Sequence, residues 1–121
     1  MPHILVVEDD LNQRELYEQE LLDEGYKVSL AENGEKAIEF LQHQRPDLVI
    51  LDICMPGMDG IEVLNTILSI DRVMPVIINS AYSQYKDNYL TWPANAYVVK
   101  SGDLTDLKAK VSEQLALTQK A

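Results

Sequence analysis

The sequence predicts an α/β fold in which helices cover both faces of a parallel sheet. Two observations predict it: short apolar runs recur along the chain, and most of the polar segments between them carry apolar residues at helical spacing. The apolar runs cover about residues 3 to 7, 26 to 31, 47 to 51, 75 to 79 and 95 to 99. Five strands alternating with five helices correspond to a doubly wound, three-layer domain with right-handed crossover connections.

The first two connecting segments contain recognisable helix ends. Gly25 stands where a left-handed C-terminal cap is expected for the first helix, and Asn33 is placed to cap the start of the second. The residues expected to face inward are Leu11, Tyr17, Leu21 and Leu22 in the first helix and Ala37, Ile38 and Leu41 in the second.

The later helices are predicted on the same grounds. Asp59, Gly60 and Glu62 resemble a capping box for the third helix, and Asp103 is expected to cap the last one. Their apolar sides are predicted to comprise Ile61, Val63, Leu64, Ile67 and Leu68, and then Leu104, Leu107, Val111 and Leu115. Between Ala81 and Asn95 the apolar pattern is weak, so only a short fourth helix is expected there.

Composition restricts the class of protein. A length of 121 residues with 46% hydrophobic content suits one globular domain, which we expect to cover residues 1–121. The net charge of -10 argues against a nucleic-acid surface in this domain. A single cysteine, Cys54, excludes an internal disulfide, and no apolar run is long enough for a membrane span. We therefore expect a cytoplasmic domain that contacts neither membrane nor nucleic acid.

Carboxylates follow two of the apolar runs. The run from Leu48 to Leu51 leads directly into Asp52, and the run from Ile4 to Val7 leads into Glu8, Asp9 and Asp10. The carboxyl ends of parallel strands lie on one edge of the sheet, where ligands usually bind. Clustered carboxylates repel one another unless a proton or cation intervenes, and Mg²⁺ favours such oxygen ligands.

Four motifs, ILVVEDD, LVILDICMPGMDG, VIINSAY and AYVVKS, occur in this order over nearly the whole chain. Together they resemble the receiver domain of bacterial two-component response regulators, and the length is similar to that of single-domain members. The resemblance implies a flavodoxin-like fold with strand order 2-1-3-4-5. It also implies that a sensor histidine kinase or a phosphotransfer protein donates a phosphoryl group and that a downstream protein effector responds.

The resemblance assigns a role to each acidic residue. Asp52 matches the phosphoacceptor, whose carboxylate forms an acyl phosphate. Asp9 would ligate Mg²⁺ directly and Glu8 through a coordinated water, with the main-chain carbonyl of Cys54 as a further ligand. Asp10 is expected to cap a helix instead. Outside this motif context, an aspartate at a turn or a solvated acidic segment would be the ordinary interpretation.

Further positions follow from the same resemblance. Lys100 matches the lysine that pairs first with the acceptor and then with the phosphoryl oxygen, and Ser80 matches the hydroxyl that contacts the phosphoryl group. Ala81 matches a small residue that keeps the phosphoryl path open, and Tyr82 would lie at the pocket rim. Tyr97 matches an aromatic side chain whose rotamer changes with the state of the site.

Two features depart from the family pattern. Ser101 stands where the family usually has a proline in a cis peptide after the lysine, and a cis bond before serine would cost about 2.5 to 4 kcal/mol. The segment from Ser80 to Lys100 is also slightly shorter than usual, so the fourth helix should be reduced. Because this helix belongs to the surface with which the family usually binds its downstream partners, the resemblance predicts the downstream partner less well than it predicts the chemistry of the site.

The function predicted from the sequence is a Mg²⁺-dependent phosphoryl acceptor that acts as a switch and not as an enzyme. One alternative is a receiver-like binding module that signals without phosphorylation. Another is a haloacid-dehalogenase-like phosphatase, but that family uses a DxD motif and Cys54 occupies its second position here. Flavodoxin-like cofactor binding would require a phosphate-binding loop after the first strand, which this sequence lacks.

Overall fold

Parallel strands and flanking helices follow one another along the chain in the predicted order. A computed structural model describes residues 1–53, 60–81, 93–100 and 103–119. The elements are β1 His3–Val7, α1 Leu11–Asp23, β2 Lys27–Ala31, α2 Gly34–Leu41, β3 Leu48–Leu51, α3 Gly60–Ile70, β4 Val76–Ser80, β5 Ala96–Val99 and α4 Thr105–Gln119. The short helix expected between Ala81 and Asn95 falls mainly on residues outside the described ranges.

The five strands form one parallel sheet in the order β2-β1-β3-β4-β5. This confirms the predicted fold class and strand order. The central strands β1, β3 and β4 are almost completely buried, as expected for a sheet covered on both faces. Within the described part of the chain, no helix has the length and apolarity to cross a membrane.

Alternate residues of each strand face two separate core layers. One layer packs strand residues such as Leu5, Val49 and Ile78 against α2 and α3. The other packs Ile4, Val6, Leu48, Ile50, Ile77 and Val98 against α1 and α4. This alternation decides which side chains share a face at the strand ends.

The helix faces are largely as predicted, with two exceptions in α1. Tyr17 and Leu21 are buried, but Leu11 and Leu22 are 58% and 47% exposed, so the prediction that they face inward is wrong. Leu11 and Leu22 are three helical turns apart and therefore share a face. This face lies about 100° around the helix from the buried pair. The predicted residues of the other helices are buried or partly buried.

Helix ends also follow the sequence signals. The side chains of Asp10 and Asn33 cap α1 and α2 by accepting from the backbone N–H groups of Gln13 and Lys36. Asp103 accepts from the Thr105 backbone at the start of α4. At the end of α1, Gly25 has φ +92° and its N–H bonds the Leu22 carbonyl, as in a Schellman cap. The capping role predicted for Asp59 concerns a residue outside the described ranges.

Candidate functional site

Three ionisable side chains follow directly after three parallel strands. Glu8, Asp52 and Lys100 stand one residue beyond β1, β3 and β5. Backbone hydrogen bonds continue the ladder through them: the N–H of Glu8 bonds Ala31 O at 3.0 Å, that of Asp52 bonds Val7 O at 3.1 Å, and that of Lys100 bonds Ser80 O at 2.7 Å. By strand alternation, all three side chains extend the layer that contains Val6, Ile50 and Val98.

The Lys100 ammonium joins the two buried acids. Its Nζ lies 3.0 Å from both carboxylate oxygens of Glu8 and 2.9 Å from Oδ2 of Asp52. The side chains of Glu8, Asp52 and Lys100 are only 2%, 7% and 13% exposed. Because a buried charge is costly unless it is paired, Lys100 serves as the counter-ion when both acids are ionised.

The electrostatics of the trio favour a protonated lysine and a readily protonated Glu8. Burial, together with the neighbouring Asp52, raises the pKa of Glu8 from 4.5 to about 7, although Lys100 opposes the shift. Burial acts to lower the pKa of Lys100, but its hydrogen bonds to Asp52 and Glu8 outweigh burial and raise that pKa above its ordinary value. Near neutral pH the site therefore holds Lys100 as a cation while Glu8 is close to its titration midpoint.

The donor set fits a hard divalent cation. One carboxylate oxygen each from Glu8, Asp9 and Asp52 lies within 4.8 Å of the others, and Asp9 is exposed whereas its two neighbours are buried. Mg²⁺ prefers a few carboxylates and retains several waters, so a cluster with one side open to solvent suits it. The predicted carbonyl ligand, Cys54, lies outside the described residues.

Arg14 stabilises the loop that carries the acids, and the sequence interpretation missed it. Its Nη1 donates to the carbonyl oxygens of Glu8 at 2.9 Å and of Asp9 at 2.8 Å. These bonds fix the backbone that presents two candidate metal ligands, and they bring a positive charge close to the acid cluster. The sequence contains no specific signal for this contact, because an arginine in the first turns of an amphipathic helix is usually exposed.

The remaining predicted residues lie around this cluster. Ser80 is completely buried at the end of β4, and Ala81 follows it in an exposed position. Tyr97, on β5, is half-buried and packs against the core layer beneath α2 and α3, so it occupies the opposite face from Lys100. The structure thus brings Glu8, Asp9, Asp52 and Lys100 together. Tyr82 lies outside the described residues.

The fold and this strand-end site define a receiver class of protein, and comparison with known proteins gives the family. A family model described as the response regulator receiver domain matches residues 4–112. The chain therefore belongs to the response regulator receiver family.

Individual relatives agree with this assignment. The chain is 43% identical over 81 residues to sporulation initiation phosphotransferase F of Bacillus subtilis, covering 67% of this chain and 65% of that protein. It is 38% identical over 102 residues to the transcriptional regulatory protein AfsQ1 of Streptomyces coelicolor, covering 83% of this chain and 45% of AfsQ1. Two ZraR regulators, from Klebsiella oxytoca and Escherichia coli, are matched over 27% and 26% of their lengths. The chain thus spans about a quarter to a half of these larger regulators.

Solved structures show the same architecture. The response regulator TrrA of Thermotoga maritima, solved in complex with Mg²⁺-BeF, superposes with a TM-score of 0.90 at 45% identity, covering 94% of this chain and 99% of that chain. TrrA in complex with the histidine kinase ThkA gives a TM-score of 0.89 at 45% identity, covering 95% of this chain and 99% of that chain. A CheY-like receiver domain from Methanospirillum hungatei gives a TM-score of 0.93 at 27% identity, covering 99% of this chain and 98% of that chain.

Proposed function

We propose that this chain accepts a phosphoryl group on Asp52 from the phosphohistidine of a sensor histidine kinase or of a phosphotransfer protein. The observation that carries the proposal is the position of Asp52: a nearly buried carboxylate at the carboxyl edge of a parallel sheet, bonded to Lys100 and beside two further acids. The complex of the similar protein TrrA with a histidine kinase supports the proposed donor.

In the proposed reaction, one carboxylate oxygen of Asp52 attacks phosphorus while the P–N bond to the donor histidine breaks. The electron pair of that bond stays on the imidazole, and an acyl phosphate forms. Lys100 is already hydrogen-bonded to Asp52 and would follow the charge onto a phosphoryl oxygen. Ser80, at the end of the adjacent strand β4, would donate its hydroxyl to another oxygen.

The acid cluster would hold the metal for this reaction. Asp9 and Asp52 would ligate Mg²⁺ directly, Glu8 would act through a coordinated water, and the Cys54 carbonyl would complete the protein ligands. When bound, Mg²⁺ neutralises charge on the transferring phosphoryl group. TrrA, with 45% identity, was solved with Mg²⁺-BeF, which supports this assignment.

The proposed output is a change of partner affinity. Phosphorylation would add charge and acceptor oxygens that recruit Ser80 and Lys100, and this would change the position of Tyr97. The small Ala81 would keep the phosphoryl path open, with Tyr82 at the pocket rim. A downstream protein effector would bind the altered surface. We propose that the domain covers residues 1–121, works in the cytoplasm as a switch and not as an enzyme, and does not contact nucleic acid, in keeping with its net charge of -10.

Intact-mass spectrometry after incubation with phosphoramidate or acetyl phosphate and Mg²⁺ tests the proposal. Wild-type protein should gain the mass of one phosphoryl group, and EDTA should prevent the gain. Asp52→Asn should gain nothing, whereas the matched control Asp106→Asn, at an exposed position of α4, should behave as wild type. Absence of any adduct on wild type with either donor would reject phosphoryl acceptance and favour the phosphorylation-independent module.

A further inference from the structure

Two buried polar side chains lie next to the site without belonging to the acid cluster or the lysine. Asn79 of β4 is 3% exposed and Tyr17 of α1 is 4% exposed. Burial raises the pKa of Tyr17, and the side chain of Asn79 near its hydroxyl opposes the shift. That hydroxyl also donates to Oε1 of Gln13 at 3.3 Å. The Tyr17 hydroxyl therefore has polar neighbours on both α1 and the end of β4.

The strand order places this pair on the route of Lys100. Strand β4 lies between β3 and β5, so the side chain of Lys100 must cross β4 to reach Asp52 at the carboxyl end of β3. Two strand spacings amount to about 10 Å. Asn79 extends the same sheet face as Ile77 and is paired in register with Val98, while Lys100 follows Val98 by two residues on that face. Continuing the register puts Lys100 beside Ala81 and Asp52 beside Asn79, so the lysine runs diagonally across β4 and its ammonium comes level with Asn79.

The preceding layer shows what this position would contain if only packing mattered. Directly before Asn79 on the same face, Val6, Ile50, Ile77 and Ala96 form an apolar row in the core cluster that contains Tyr17. A buried amide and a buried hydroxyl contribute little net stability even when they are hydrogen-bonded to each other, and they are costly when they are not. Apolar side chains would fill this space without the cost of a buried polar group that lacks a hydrogen bond. The presence of two polar side chains therefore points to a role in the site.

We propose that Asn79 and Tyr17 are positioning residues that hold the Lys100 side chain across β4 and direct its ammonium toward Asp52. Tyr17 fixes the amide of Asn79, and the amide gives the lysine a rigid polar surface in place of an apolar one. During phosphoryl transfer, Lys100 exchanges carboxylate oxygens for phosphoryl oxygens, and a fixed surface limits its motion to that exchange. This inference rests on the proposed function.

Single substitutions that keep the size of the side chain but remove its polar group test the inference. Tyr17→Phe deletes only the hydroxyl, and Asn79→Leu replaces the amide by an apolar group of similar size. Tyr26→Phe is the matched control, because Tyr26 is a partly buried tyrosine packed against the same core layer. The rate of labelling by phosphoramidate is measured by intact mass at saturating donor, together with the Mg²⁺ dissociation constant and urea denaturation.

Both test variants should be labelled about ten-fold more slowly at saturating donor, because a small misplacement of a reacting group has a large effect on rate. Their Mg²⁺ dissociation constants should stay within about two-fold of the wild-type value, since no acid is altered. Tyr26→Phe should label at the wild-type rate. In ¹⁵N-lysine NMR spectra, the Lys100 ammonium signal should be sharp in wild type and in Tyr26→Phe and broadened in both test variants.

Different results separate this inference from the proposed function. Wild-type labelling rates in folded Tyr17→Phe and Asn79→Leu, even with reduced stability toward urea, would overturn the positioning role. If wild type itself takes up no phosphoryl group, the proposed function fails. The Lys100 signal then decides the positioning role alone, and an unchanged signal in both variants overturns it.

Discussion

Replacing Glu8 by glutamine should remove a pH-dependent contribution to folding stability. Burial and Asp52 raise the pKa of Glu8 from 4.5 in the unfolded chain to about 7 in the folded protein. The folded state therefore binds a proton more tightly than the unfolded state. The stability gained from this proton is fully present below pH 4.5 and is lost as the pH rises through about 7.

The size of the effect follows from the two pKa values. A difference of about 2.5 corresponds to about 3 kcal/mol, at about 1.4 kcal/mol for each tenfold change in proton affinity. Glutamine keeps the shape and one acceptor oxygen but does not titrate. The free energy of unfolding of wild type minus that of Glu8→Gln should therefore fall by up to about 3 kcal/mol between about pH 4.5 and about pH 8.

Urea denaturation followed by circular dichroism, in EDTA at several pH values across this range, measures the difference. Glu39→Gln, at an exposed position of α2, serves as the matched control and should give a difference that does not change with pH. Mg²⁺ should reduce the pH dependence of wild type, because the cation competes with the proton for the same carboxylates. If the stability difference between wild type and Glu8→Gln changes with pH as little as the difference between wild type and Glu39→Gln, the electrostatic account of the site is refuted.

Three further predictions concern positions outside the acid cluster, all measured by urea denaturation. Gly60→Ala should destabilise the protein by more than about 2 kcal/mol, because an added Cβ would come within 2.2 Å of the Ile53 backbone. Gly25→Ala should cost only about 1 to 2 kcal/mol, because the added Cβ meets open space and only the positive φ of +92° is unfavourable. Equal losses of stability in the two variants would contradict this reasoning. Asn33→Ala should cost about 1 kcal/mol through loss of the α2 cap, and no loss would show that the cap is unimportant. Burial lowers the pKa of His3 from 6.5, so the free energy of unfolding should fall as the pH drops below 6.5, and His3→Gln should lose this pH dependence. If the free energies of unfolding of wild type and His3→Gln change in parallel with pH, His3 does not cause the dependence.

The sequence predicts the sheet and the strand-end chemistry because both depend on local patterns. Apolar runs that end in Glu8 and Asp52 locate the carboxyl edge of the sheet, and parallel pairing then brings these residues together. The caps at Asn33 and Gly25 were predictable for the same reason, since each depends on a few neighbouring residues.

Contacts that depend on the tertiary arrangement could not be predicted in this way. The exposure of Leu11 and Leu22 depends on which face of α1 meets the sheet, and apolar character alone does not decide it. Arg14 bonds carbonyl groups, which carry no side-chain signature in a sequence. In the sequence Asn79 is an ordinary interruption of an apolar strand, and only the register of the sheet places it beside Asp52.

The spacing of the lysine along the chain has a consequence for biosynthesis. Glu8 and Lys100 are separated by 92 residues, and Asp52 and Lys100 by 48. Both acids are therefore synthesised well before their counter-ion, so a nascent chain that ends before β5 carries the two carboxylates without Lys100 to pair them. The ion-paired form of the site can therefore assemble only after the last strand has been synthesised and has joined the sheet.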